Sequence, residues 1–239
     1  MTVIGALSRA LAHVEVPEAA YVRRLRALQL LVWLQAALIG VVCWAEQDAI
    51  MGRAVGHRIV LAVVCSLTVG AAVLASVARD RGLRTYVLTV GLVLGAIGVV
   101  QAGGGVTELH FEFFVVLAAI GLLHSARALA LATALVGAHY LVMAAWMPEA
   151  IFAEPPLRAH PEPWALLAIG FVLAACLLKV LGWRFLATEH QERNARTAAQ
   201  ARAEERRLEE ERAIAEILHA AERARIHRRA AAVEVPAPR

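Results

Sequence analysis

Six apolar runs, at about residues 28–45, 59–78, 85–102, 108–123, 126–146 and 164–183, occupy most of this 239-residue chain. A helix needs about 20 apolar residues, within a range of about 17–25, to cross the hydrocarbon of a bilayer. Five of the runs meet or approach that length. The fourth is short, and it opens with polar residues just after Gly103-Gly104-Gly105. The chain is 60% hydrophobic with a mean hydropathy of +0.62, whereas soluble domains average about 45–50% apolar residues. Such an excess needs a nonaqueous solvent to bury it. The sequence therefore predicts an all-α polytopic membrane protein of about six transmembrane helices, followed by a long cytoplasmic C-terminal helix.

Charge is unevenly spread. Between residues 85 and 185 there are nine charged residues, whereas 188–229 is dominated by Arg and Glu. With both termini inside, the cytoplasmic face receives Arg9, Arg23, Arg24, Arg26, Arg79, Arg81, Arg84, Arg127, Arg184 and the tail, and the outer loops hold only Arg53, Arg58 and Arg158. That is the bias expected of cytoplasmic loops. Trp44, Trp146 and Trp164 then mark the outer interface and Trp183 the inner one. Since the arginines fall where cytoplasmic loops belong, the formal charge of +4 gives no reason to expect nucleic acid as a partner.

Four regions follow. Residues 1–25 form a cytoplasmic or interfacial amphipathic segment that breaks near Pro17, and residues 26–184 form the transmembrane domain. Residues 185–230 form a charged helix without Gly or Pro, and 231–239 a disordered end with Pro236 and Pro238. Leu208, Ile214, Ile217, Leu218, Ala221 and Ile226 draw an imperfect apolar stripe on the tail helix. It reads equally as a coiled coil that makes a homodimer and as a solvated charged helix. The outer loop at 147–163 has proline at 148, 155, 156, 161 and 163, so no helix is expected there. No cleavable signal peptide is expected in the first 25 residues.

Cys43, Cys65 and Cys176 all lie in apolar runs and form no CxxC pair, so they read as small buried hydrophobes. The glycine triplet follows no strand, which removes a phosphate-loop reading. Nucleophile–base and paired-carboxylate signatures are lacking, so the chain reads as a non-enzyme.

Ionisable groups inside a span cost about 2.5–3.5 kcal/mol each at the helix centre on insertion scales. Lys179 and Arg184 lie near the inner end, where they snorkel. The fourth run instead opens Glu108-Leu-His110-Phe-Glu112-Phe-Phe114, and the fifth contains His139-Tyr140. If the two runs form a hairpin turning near Ser125, His110 and Tyr140 each lie about 22 Å outward from the turn. His110, Glu112, His139 and Tyr140 then share one depth in the outer third of the bilayer. Imidazole and carboxylate at one level are raw material for a transition metal, a haem or a proton-linked switch. At about 100° per residue His110 and Glu112 point to nearly opposite sides, whereas Glu108 and Glu112 share a face. Alternatively, His110 and Glu108 are solvated at the headgroups and His139 bonds a neighbouring carbonyl.

The stretch from Glu108 to Ala118, followed by His139 in the next run, resembles the N-terminal multi-span sensory module of bacterial signalling proteins. That module occurs in some methyl-accepting chemotaxis proteins, diguanylate cyclases and histidine kinases. Its fourth-span motif typically reads Glu-x-His-Phe-His-Phe-Phe, its fifth span carries a His-His pair, and its inner turn reads Tyr-Arg-Asp-Trp. Here Glu112 and Tyr140 replace one histidine in each motif, and the turn reads His124-Ser-Ala-Arg127-Ala. The resemblance implies a bacterial inner-membrane protein that senses an input and relays it through the tail helix. Only about 50 residues follow the last run, too few for a cyclase, kinase or chemoreceptor hairpin. The expectation is a stand-alone sensor-like module, a subunit acting with a separate cytoplasmic signalling protein, or a truncated relative.

The expected ligand set is therefore His110 and His139 for haem or metal, with Glu112 and Glu108 as further metal ligands and Tyr140 beside them. Two rival functions use the same residues differently. One is a haem- or ion-binding membrane redox or transport subunit, although paired broken helices are not evident. The other is a structural anchor that recruits a partner through the tail.

Overall fold

The computed structural model describes residues 18–52 and 55–233, all in helices and turns. The expected amphipathic segment falls largely, and the proline-containing end mostly, outside the described residues. Helices α1 (Glu18–Ala45), α2 (Gln47–Gly52), α3 (Val55–Val77) and α4 (Arg81–Ala102) come first. A 3₁₀ turn, Thr107–His110, leads directly into α5 (Phe111–Gly121), and α6 (Ala126–Trp146) follows. A second 3₁₀ turn (Pro148–Ala150), α7 (Pro155–Ala159) and α8 (Pro161–Val233) complete the chain.

Among the described residues, α1, α3, α4, α6 and α8 are long and apolar enough to cross a membrane. The fourth apolar run is different: it becomes the 3₁₀ turn plus an 11-residue α5. Together these rise only about 24 Å, less than the hydrocarbon thickness of about 30 Å. The glycine triplet shortens it. Gly104 and Gly105 both adopt φ of 74°, which ends α4 and delays the next helix. The proline-rich loop also departs from expectation, because Pro155 starts the short helix α7 and Pro161 starts α8. Proline is accommodated there because the first turn of a helix leaves its N–H groups unbonded anyway.

The chain divides into two compact units, residues 1–184 and 185–239. In the first, α4 is the most enclosed helix, with Leu88, Leu92, Ala96 and Val100 fully buried. It admits α1 closely because glycine faces it. A Cβ on Gly95 would lie 2.5 Å from Gln35 Oε1, and one on Gly98 would lie 2.7 Å from Ile39 Cδ1. Caps fix where two helices begin: Asp80 Oδ2 accepts from Leu83 N at 2.6 Å and Ser125 Oγ from Ala128 N at 3.3 Å. Leu30, Leu34, Leu67, Leu141, Phe171 and Leu178 are exposed. Apolar belts of this kind suit lipid as the surrounding solvent. One face of α8 turns inward, with Ala165 and Val172 buried and Cys176 Sγ 2.9 Å from Thr133 Oγ1.

In the second unit α8 stays helical to Val233. Leu208, Ile214 and Ile217 of the apolar stripe are exposed. The side chains of Leu218, Ala221 and Ile226 lie outside the described residues.

Candidate functional site

The glycine turn builds the site by letting two loops meet. Gly105 N donates to Val100 O at 2.9 Å, and Gly105 O accepts from Ala153 N at 3.0 Å. A Cβ on Gly105 would lie 2.5 Å from the carbonyl carbon of Ile151, so only glycine lets the 147–153 loop settle over the turn. Ile151 is thereby fully buried, and Phe152 is brought over the end of the bundle. Thr107 reinforces the seam with a 2.9 Å hydrogen bond to Glu154 Oε1.

His110 closes the 3₁₀ turn beneath this loop. Its ring stacks at 5.7 Å on Tyr140 and at 6.4 Å on Phe152, and lies 6.3 Å from Phe113. His139, one residue before Tyr140 on α6, lies 5.7 Å from Phe113 and 6.0 Å from Tyr140. The fold thus brings together His110, His139 and Tyr140, three of the expected residues, around Phe113, which is fully buried.

The two imidazoles are oriented unequally. His110 Nδ1 is 3.2 Å from Val106 O. A carbonyl oxygen can only accept, so Nδ1 carries the proton and Nε2 keeps a lone pair. The Nε2 atoms of both His110 and His139 are buried and meet no hydrogen-bond partner among the described residues. Buried polar atoms of this kind are uncommon, and a further ligand is one of the things that accounts for them. A backbone carbonyl fixing Nδ1 while Nε2 stays open is also how metal-binding histidines are commonly held.

The carboxylates go elsewhere. Glu112 Oε1 accepts from Gln35 Nε2 of α1 at 2.8 Å, and Glu108 is exposed. Among the described residues no group of three or more His, Cys, Asp or Glu side chains is placed to hold one metal ion. The expected four-residue donor set is therefore divided between a histidine pair, an amide-bonded acid and a surface acid. The helical phase seen in sequence already separated His110 from Glu112. Phe113 and Phe152 were not anticipated. Phe113 follows His110 by three positions, which is one helical turn, but Phe152 had no signal because it comes from a proline-rich loop.

Compared with protein-family models, curated proteins and solved structures, the chain matches none.

Proposed function

We propose that the chain is a membrane-embedded sensory module that binds a transition-metal ion through His110 and His139 and relays its occupancy along α8. The carrying observation is the pair of buried, unpartnered Nε2 atoms within one aromatic cluster, one of them with its lone pair preset by Val106 O. Imidazole nitrogen suits zinc, copper or nickel. Two imidazoles leave coordination positions for exogenous ligands, which is what a site that senses rather than stores an ion requires. Ring contacts of 5.5–6.4 Å surround His110 and Phe113. Rings at that spacing favour a single ion over the broad plane of a haem.

In this reading the 3₁₀ turn and α5 supply a short sixth segment that crosses where the bilayer thins around it, both termini are cytoplasmic, and the histidines face the outer side of a bacterial inner membrane. The far end of α5 is tied to α8, since Trp183 Nε1 donates to Gly121 O at 3.0 Å. A shift of His110 has a short path through α5 to the helix that continues as the tail. The tail passes the change to a second copy or to a separate cytoplasmic signalling protein.

Titrating the purified chain with cobalt(II), whose ligand-field bands report imidazole coordination, tests the site. Binding should be lost in His110→Ala and in His139→Ala. A wild-type protein that binds no cobalt, zinc or copper would sink the metal reading.

A further inference from the structure

A second polar cluster lies at the opposite end of α5. The helix ends through Gly121, Leu122 and Leu123, and His124 then adopts φ of 52°. Left-handed backbone costs a non-glycine residue about 1–2 kcal/mol, so something must hold this histidine in place. Three elements do. Arg24 of α1 donates through one NH1 nitrogen to Leu122 O at 2.8 Å and to His124 Nδ1 at 2.8 Å. Trp183 of α8 stacks on the imidazole with centroids 5.4 Å apart and 28° between planes. The Trp183 indole N–H also holds Gly121 O.

One tautomer of His124 satisfies the Arg24 contact. A guanidinium only donates, so His124 Nδ1 must accept from Arg24, and the ring proton sits on Nε2. The 3.1 Å approach of Nδ1 to Leu122 O is then a contact of two acceptors bridged by the same Arg24 nitrogen. A proton added to Nδ1 reverses that arrangement. The new N–H can donate directly to Leu122 O, and Arg24 loses its imidazole acceptor and faces a cation. Two discrete hydrogen-bond patterns thus alternate at His124 Nδ1, which either accepts from Arg24 or donates to Leu122 O, and that is the requirement for a switch.

We propose that His124 is a proton-operated latch: its neutral ring holds α1, the α5–α6 turn and α8 together through Arg24 and Trp183, and its protonated ring donates to the Leu122 carbonyl and repels Arg24. The charged groups that act on the ring are Arg24 from α1 and Lys179 from α8, both cationic. On the α6 side Ser125 is engaged in capping Ala128, and Arg127 is exposed. Burial first, with Arg24 and Lys179 adding repulsion, holds the imidazole below the ordinary histidine value, against the opposing pull of Leu122 O. Mild acidity on this side of the membrane therefore opens the latch. Trp183 lies two positions before Phe185, where the second unit begins, so the opening acts at the root of the tail helix. The latch needs no ligand at His110.

The indole reports the state directly, because a stacked imidazolium quenches tryptophan emission more than neutral imidazole does. The full chain in lipid nanodiscs is titrated from about pH 8 to 4.5 in wild type, His124→Asn, Trp183→Phe and Arg24→Gln. Asparagine tolerates the left-handed backbone, so the first variant keeps the turn. The latch requires a single-proton quench with a midpoint below about 6.5. That component disappears in His124→Asn and in Trp183→Phe, and its midpoint rises toward 6.5 in Arg24→Gln because a repelling cation has gone. Flat wild-type emission, a transition that survives His124→Asn, or an unmoved midpoint in Arg24→Gln would each overturn it.

Discussion

Gln35 donates through Nε2 to Glu112 Oε1 at 2.8 Å, joining the middle of α1 to the first turn of α5. Gln35 is 2% exposed, and it occupies space that α4 leaves open by having glycine at position 95. One acid, one amide and one missing side chain on three helices thus make a single contact. It secures the first turn of α5 against α1.

Glu112→Ala should lower stability by about 1–3 kcal/mol, the cost of leaving a buried amide without its partner. Glu112→Gln should recover most of that loss, because its side-chain oxygen still accepts from Gln35. Thermal unfolding in one detergent compares the two, and equal losses would show that the hydrogen bond is not what matters.

Gly105→Ala should be among the most damaging single-methyl changes in the chain. It places a Cβ at φ 74° and 2.5 Å from Ile151 backbone, combining about 1–2 kcal/mol of backbone strain with a forced displacement of the 147–153 loop. Gly137→Ala is the control, since a Cβ there meets nothing within 4 Å. Melting temperatures should separate the pair, and cobalt affinity should fall only in Gly105→Ala.

Phe113→Ala should cost about 3–5 kcal/mol, the usual range for emptying a buried aromatic site, and should loosen both histidines because each ring contacts it. Tyr140→Phe keeps the ring against His110 and should leave cobalt binding nearly unchanged. A complete loss of binding in Tyr140→Phe would make the phenol oxygen a ligand rather than a wall.

Stability should fall with acidity through His124. Its folded value lies below the ordinary one, with burial as the leading cause, so the unfolded chain takes up a proton first. The contribution is fully present above about pH 6.5 and is lost as pH drops below it, by at most about 1.4 kcal/mol per pH unit, until the folded site also protonates. Melting curves at pH 7.5 and 5.5 should show a drop that is smaller in His124→Asn. An identical drop in that variant would assign the effect to other groups.

Hydropathy alone determined that this is a helical chain with several membrane-length apolar segments, because burying backbone in hydrocarbon leaves helix as the economical choice. The depth match of His110 with His139 and Tyr140 was also legible, since it needs only the rise per residue and a hairpin. Tertiary structure decided the rest. Which way Glu112 turns depends on α1 carrying Gln35 opposite Gly95, a contact between residues 77 positions apart in the chain. The shortened fourth segment follows from two glycines in left-handed backbone. The loop that brings Phe152 over His110 closes only because Gly105 has no side chain. The Arg24–His124–Trp183 cluster joins three elements that no local periodicity relates. Helix rotation and crossing are set by packing, and a one-dimensional pattern of apolar residues carries little information about either.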